Sequence, residues 1–286
     1  MKKLTYLFLL AIMFVGFSAA QGQDNYYILA VKGKIYNQTT KKYLKSRTKI
    51  KATNKVVFKD KNAVAILFSR GKGRFKLRLK NKKSSSELSI FVNKTLFAQK
   101  QGAITRASTA INNVAGFAAH FKRRVGGKKK YLILGDKLML KVNPKVFENL
   151  GKGTPYIRYK YNGKDVNKAL KYENNTLIID KNELFKVDGE SIQEEQATDF
   201  IISYYVASKE ASVYLDEPES NKHLAFEPVF VTKKTLEDQG VVALAEYLKA
   251  ENANESEVAQ EVASALLDIG VANKENVKDW YKKNIK

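Results

Sequence analysis

The sequence predicts a mainly β protein, with a small basic β-sandwich or barrel, a second, immunoglobulin-like sandwich and a short helical tail. Three observations carry that prediction. Short runs rich in Val, Ile, Phe and Leu follow one another over residues 26–92, separated by turn residues such as Asp60-Lys61-Asn62 and Arg70-Gly71-Lys72-Gly73. A second series of such runs fills residues 131–232. Beyond it, the apolar residues recur at helical spacing.

In chain order, strands are expected at 27–31, 55–59, 63–69, 74–79 and 88–92, which makes residues 21–92 one compact β module. Residues 93–130 break the pattern as a helical segment and linker. A short helix over 110–122 carries Val114, Phe117 and Phe121, and Gly126-Gly127-Lys128-Lys129-Lys130 reads as the linker. Strands resume at 131–134, 137–142, 156–161, 176–179, 200–206, 211–215 and 228–231. Asn162-Gly163 after an aromatic strand marks a hairpin turn. In the tail, residues 233–286, Val241, Leu244, Ala245 and Leu248 share one helix face, as do Val258, Val262, Ala265, Leu266 and Ile269. Asn254 followed by Glu257 opens the second of these helices as a capping box and Gly270 stops it; a third carries Val277, Trp280 and Tyr281. Three short helices bury little alone, so they are expected to pack on one another or on the sandwich; Trp280 and Tyr281 are expected in that packing, with an exposed anchor for a partner protein as the alternative.

The first 20 residues read as a signal peptide. Met1-Lys2-Lys3 is positive, residues 4–17 are uncharged and apolar, and Ser18-Ala19-Ala20 offers small residues for cleavage after Ala20. The apolar run falls short of the roughly 20 residues that span a bilayer, and no later segment reaches that length, so no transmembrane helix is expected in the mature chain. The chain has no Cys, which excludes lipidation at cysteine, disulfides and a thiolate zinc site. A Cys-free exported chain starting at Gln21 resembles Gram-negative products, placing it in the periplasm, on the outer membrane or at the cell surface.

Charge is distributed unevenly. Residues 21–130 hold 28 Lys and Arg against 3 Asp and Glu, a net of +25; residues 131–286 hold 21 against 26, a net of −5. Solubility alone asks for a magnitude of roughly 2–8 in a small domain. Two stretches place cations at every second position: Lys45, Arg47, Lys49 and Lys51, then Arg74, Lys76, Arg78 and Lys80, with Phe75, Leu77 and Leu79 between the latter. On strands, each set faces one way, its members about 6.5–7 Å apart, and neighbouring strands would present a flat grid of positive charge. Such a grid suits an anionic envelope glycan or lipid surface, or an acidic protein. The same residues also suit an outer face that resists edge-to-edge association. Phe75 is expected to face inward, which argues against stacking on single-stranded nucleic acid.

The stretch Val31-Lys32-Gly33-Lys34-Ile35, with residues 44–50, Asn62-Ala63-Val64-Ala65-Ile66-Leu67-Phe68-Ser69 and residues 71–77, resembles FecR-type extracytoplasmic β domains. That resemblance spans about a fifth of the chain and implies a non-enzymatic sensing or interaction module.

Catalytic chemistry finds little support in the residue pattern, and no cofactor or metal is called for. His120 stands beside Phe121 and a run of cations, and His223 is expected in a polar loop; two isolated histidines make no zinc site. Ser84-Ser85-Ser86 reads as a turn, and no Gly-x-Ser-x-Gly elbow is present. Acids at 190–195 and 216–219 read as solvated loops without calcium-loop order, and the Gly-Lys pairs at 71–73 and 126–128 lack the Walker spacing. An exported binding or scaffold protein is the expectation. A protein-only adaptor and a carboxylate-dependent glycan enzyme are its rivals.

Overall fold

The structure, a computed structural model, describes residues 25–70, 72–79, 85–87, 111–112, 114–122, 130–149, 155–206 and 220–285. The chain divides into two compact units, Met1–Lys100 and Gln101–Lys286. It is mainly β, with several antiparallel sheets and a C-terminal helical region, and no sheet closes into a barrel among the described residues. The expected signal peptide, the strands at 88–92 and 211–215, and residues 126–129 of the linker lie outside the described residues.

The first unit contains β1 (Asn25–Lys32), β2 (Ile35–Asn37), β3 (Lys42–Tyr43), β4 (Thr48–Lys51), β5 (Lys55–Phe58), β6 (Val64–Ser69), β7 (Gly73–Arg78) and β8 (Ser85–Glu87). They form two four-stranded sheets, ordered β4-β1-β6-β7 and β3-β2-β5-β8, antiparallel throughout. Both sheets turn their apolar positions to one core. Tyr26, Ile28, Ile50, Leu67, Phe75 and Leu77 come from the first, and Ile35, Val56 and Phe58 from the second. Ser85 and Ser86 belong to β8, not to a turn, because Val57 and Val56 of β5 offer them a paired edge.

A buried asparagine pair ties the loops of this sandwich. The Asn37 amide donates to Asn54 Oδ1 at 3.1 Å, and Asn37 Oδ1 accepts the backbone N–H groups of Thr39 and Thr40. Asn54 Oδ1 also accepts the N–H of Lys51. Two turns are thereby supplied with polar partners inside an apolar setting, where an unmet group costs about 1–3 kcal/mol.

The second unit opens with α1 (Val114–Lys122), β9 (Lys130–Leu134), β10 (Lys137–Lys141) and α2 (Pro144–Asn149). Next come β11 (Tyr156–Tyr161), β12 (Lys164–Ala169), β13 (Lys171–Glu173), β14 (Thr176–Asp180), α3 (Lys181–Leu184), β15 (Lys186–Val187) and β16 (Glu190–Ser191). It ends with β17 (Thr198–Val206), β18 (Ser220–Ala225), β19 (Glu227–Val231), α4 (Lys233–Asp238), α5 (Val241–Ala250), α6 (Glu255–Leu266), β20 (Val271–Ala272) and α7 (Lys274–Asn284). Three antiparallel sheets run β12-β11-β17-β18, β10-β14-β13 and β15-β16. The hairpin at Asn162-Gly163 forms with φ of 49° and 75°, the left-handed pair that a two-residue turn requires.

Helix α1 is part of this unit and not a connector. Phe117 and Phe121 are buried in its core with Tyr131, Tyr204 and Phe226, at ring separations of 5.0–6.2 Å. Lys130, read as linker, is the first residue of β9.

The fourth sheet, β19-β9-β20, is parallel. Parallel neighbours need long crossovers, and here α4–α6 of the helical tail make the crossover from β19 to β20, with α7 following β20. That tail holds four helices, because Thr232 caps α4 through the N–H of Thr235 where no helix was expected. Trp280 and Tyr281 are buried. The side chain of Asn276 extends the sheet beyond β20. Its Oδ1 accepts the N–H of Leu134 at 2.8 Å, and its Nδ2 donates to the carbonyls of Leu134 and Lys137 at 3.1 and 3.2 Å. One carboxamide thus acts as the next peptide group along the edge of β9. Gly270 also serves this edge, through its lack of a side chain. A Cβ there would stand 2.7 Å from the Leu132 side chain and 2.8 Å from the Lys130 carbonyl. Glycine allows the chain to run against β9.

Candidate functional site

The basic stripes fall on the two edge strands of the first sheet. On β7 the alternation is as expected: Phe75 and Leu77 are buried, Arg74 and Lys76 half-buried, and Arg78 exposed. On β4 Ile50 is buried between exposed Lys49 and Lys51. Lys45 and Arg47 precede the strand. Lys45 lies in a loop and Arg47 in a turn at φ 62°, its N–H bonded to the Ile28 carbonyl. Period-two sorting therefore does not reach them. Lys80 lies outside the described residues.

Register decides whether the two sets of cations share a face. Lys49 stands opposite Tyr27, Tyr27 opposite Phe68, and Phe68 opposite Arg74. Opposed residues of antiparallel strands project to the same side, so Lys49, Lys51, Arg74, Lys76 and Arg78 do lie on one side of the sheet. They form two rims, not a grid. The central positions of that side belong to Tyr27, Phe68 and Ile66, and Phe68 and Ile66 are only 1% and 5% exposed. Three strand spacings separate the rims, about 14 Å, against a screening length of about 8 Å at physiological ionic strength. Each rim acts on its own, and its position at a sheet edge also suits resistance to edge-to-edge pairing.

The outward face of the second sheet carries a different arrangement, which the sequence pattern did not reveal. Tyr43 on β3 opposes Tyr36 on β2, which opposes Val57 on β5. The two tyrosine rings meet edge to face at 5.3 Å and 68°, and Tyr43 is 51% exposed. Lys59 holds its ammonium 5.9 Å from the Tyr36 centroid. Its N–H bonds the Lys34 carbonyl, so the pairing continues and Lys34 joins the same side. Lys55, two residues before Val57, projects there too. A two-residue strand among lysines is too short to show a period, so the sequence pattern carried no signal for this face.

Between residues 25 and 79 there are 16 Lys and Arg and one acid, Asp60. Its carboxylate is engaged locally, accepting the N–H of Lys34 at 2.7 Å.

The second unit commits its polar side chains to structure. Nε2 of buried His120 lies 2.8 Å from the Tyr131 hydroxyl. His223 is on β18 opposite Ser203, not in a loop. Burial pushes the phenols of Tyr159 and Tyr204 up to about 12, and Tyr159 donates to the Leu184 carbonyl at 2.7 Å. Glu194 was expected in a solvated loop. It is instead half-buried in a short 3-10 turn, accepting the Phe230 N–H at 3.2 Å with Lys181 at 3.8 Å; burial raises its pKa against both contacts. Lys137 and Asp180 pair at 2.7 Å across β10 and β14. Burial pushes the Asp180 carboxyl upward, but Lys137 and the N–H groups of Asn182 and Glu183 outweigh it and hold the group below its usual range. Among the described residues no three His, Cys, Asp or Glu side chains gather as a metal site, and no helix is long and apolar enough to cross a membrane.

Fold and surface together define a two-unit, mainly β protein with a strongly basic N-terminal sandwich. No family model, curated protein or solved structure matches the chain.

Proposed function

We propose that this chain is an exported, non-enzymatic binding or scaffold protein of the cell envelope, whose N-terminal sandwich docks on an anionic surface or an acidic partner. One observation carries the reading. Across residues 25–79 the sandwich sets 16 cations against one acid, and that acid is bonded to a backbone N–H. The acids of this unit are too few to neutralise a positive excess of this size, so it attracts polyanions, and added salt weakens the attraction. The resemblance of residues 31–79 to FecR-type domains supports a binding role, and the signal-like first 20 residues support export.

The test is co-sedimentation of the full chain with vesicles of equimolar phosphatidylcholine and phosphatidylglycerol, beside vesicles of phosphatidylcholine alone and a column of immobilised dextran sulfate. Binding to the anionic vesicles or to the sulfated matrix, released by salt, is the expected result. Absence of binding to either polyanion, or salt-indifferent binding to both kinds of vesicle, overturns the proposal.

A further inference from the structure

We infer that the outward face of the β3-β2-β5-β8 sheet is a binding platform for an acidic polysaccharide, with Tyr43 and Tyr36 against sugar rings and Lys34, Lys55 and Lys59 against its acid groups. This rests on the anionic-partner reading above and gives it a place and a ligand class.

Geometry and charge support that choice together. The face presents an exposed ring, Tyr43, beside a second ring that fixes its tilt. Tyrosine offers an apolar ring and a polar hydroxyl, which suits a ligand with C–H faces and many hydroxyls. Three lysines lie on the same side, and no described carboxylate pairs with them; Lys55 stands in register with Glu87 on β8. Their charge complements a polyuronate or a sulfated glycan. Single-stranded nucleic acid is served less well, because successive bases stack on parallel, open ring faces. Here the rings meet at 68°, and one face of Tyr36 already receives Lys59. A bilayer is also served less well. Insertion needs a protruding apolar cluster, and Tyr43 is the one exposed large apolar side chain among the described residues of this unit.

The experiment measures binding of the full chain to polygalacturonate, neutral dextran and single-stranded DNA. Tyr43→Ala leaves the charge unchanged and is expected to weaken polygalacturonate binding about tenfold. Tyr43→Leu, which keeps an apolar side chain on the edge strand without a ring, gives the same loss. The pair Lys55→Gln and Lys59→Gln is expected to lose more than the pair Lys51→Gln and Arg78→Gln, which removes equal charge from the rims. Wild-type affinity in both Tyr43 variants overturns the platform, as do equal losses in the two lysine pairs; diffuse anionic attraction then survives alone. Failure of the wild type to bind any polyanion sinks both readings. Tighter binding of DNA that disappears in Tyr43→Ala reassigns the face to nucleic acid and overturns the polysaccharide.

Discussion

The two units reach stability without disulfides by opposite treatments of charge. Residues 1–100 carry 23 Lys and Arg against 3 Asp and Glu, while residues 101–286 carry 28 against 26. In the second unit cations meet acids between strands, along one strand and between helices: Lys137 with Asp180, Lys171 with Glu173, and Lys282 with Glu255. In the first, Asp60 is used as a turn clamp and the cations outnumber any partners. The second unit shows that this chain can build a β surface of balanced charge. The excess in the first is therefore a property of that module and not of the chain's chemistry at large.

The units also differ in how far the chain travels to close its core. In the first, paired residues lie no more than 41 positions apart among the described residues, as Tyr27 does from Phe68. The second brings residues 271–276 back to residues 131–137, and one side chain completes that closure. Asn276→Ala leaves two carbonyls and one N–H of β9 and its turn without a partner and is expected to cost about 3 kcal/mol, seen as a lower melting temperature. Asn37→Ala is expected to cost about 2 kcal/mol, because only short turns depend on it. A larger loss for Asn37 than for Asn276 would break the comparison.

Smaller effects sharpen it. Burial, then Glu257, raises the pKa of Glu261 on α6. Its folded value exceeds the unfolded one, so the folded state holds the extra proton, and stability falls as pH rises through that interval. Glu261→Gln should raise the melting temperature at neutral pH, and the gain should vanish once both states are protonated in acid. Salt offers the mildest probe. Screening relieves self-repulsion in the first unit, whereas exposed ion pairs like those of the second are worth about 0–1 kcal/mol. Hydrogen exchange of the full chain in rising salt should show protection increasing in β1–β7 and changing little in β10–β14.

Much of this fold was legible where the physics is local. The alternation in Arg74-Phe75-Lys76-Leu77-Arg78 gave β7, Asn162-Gly163 gave a hairpin, and Asn254 caps α6 through the N–H of Glu257 as expected. The parallel sheet was not legible, because a two-residue strand at Val271-Ala272 acquires meaning only beside β9. The flat charged grid conflicts with the residues of β6 themselves. Ile66, Leu67 and Phe68 are consecutive and large, so β6 buries both faces, and an open cationic face across the whole sheet was never compatible with it. Tyr43 escaped notice because strand periodicity needs more residues than β3 possesses.

Equal charge reversal in the two units tests the central claim most directly. Lys45, Lys49, Lys51 and Arg78 of the first unit are changed to Glu in one full-length variant. Lys145, Lys164, Lys233 and Lys283, all exposed in the second unit, are changed in another. Net charge falls by the same amount in both, and retention on immobilised dextran sulfate is measured against salt. The first variant is expected to elute at much lower salt than the wild type and the second close to it; identical elution of the two variants would contradict the account.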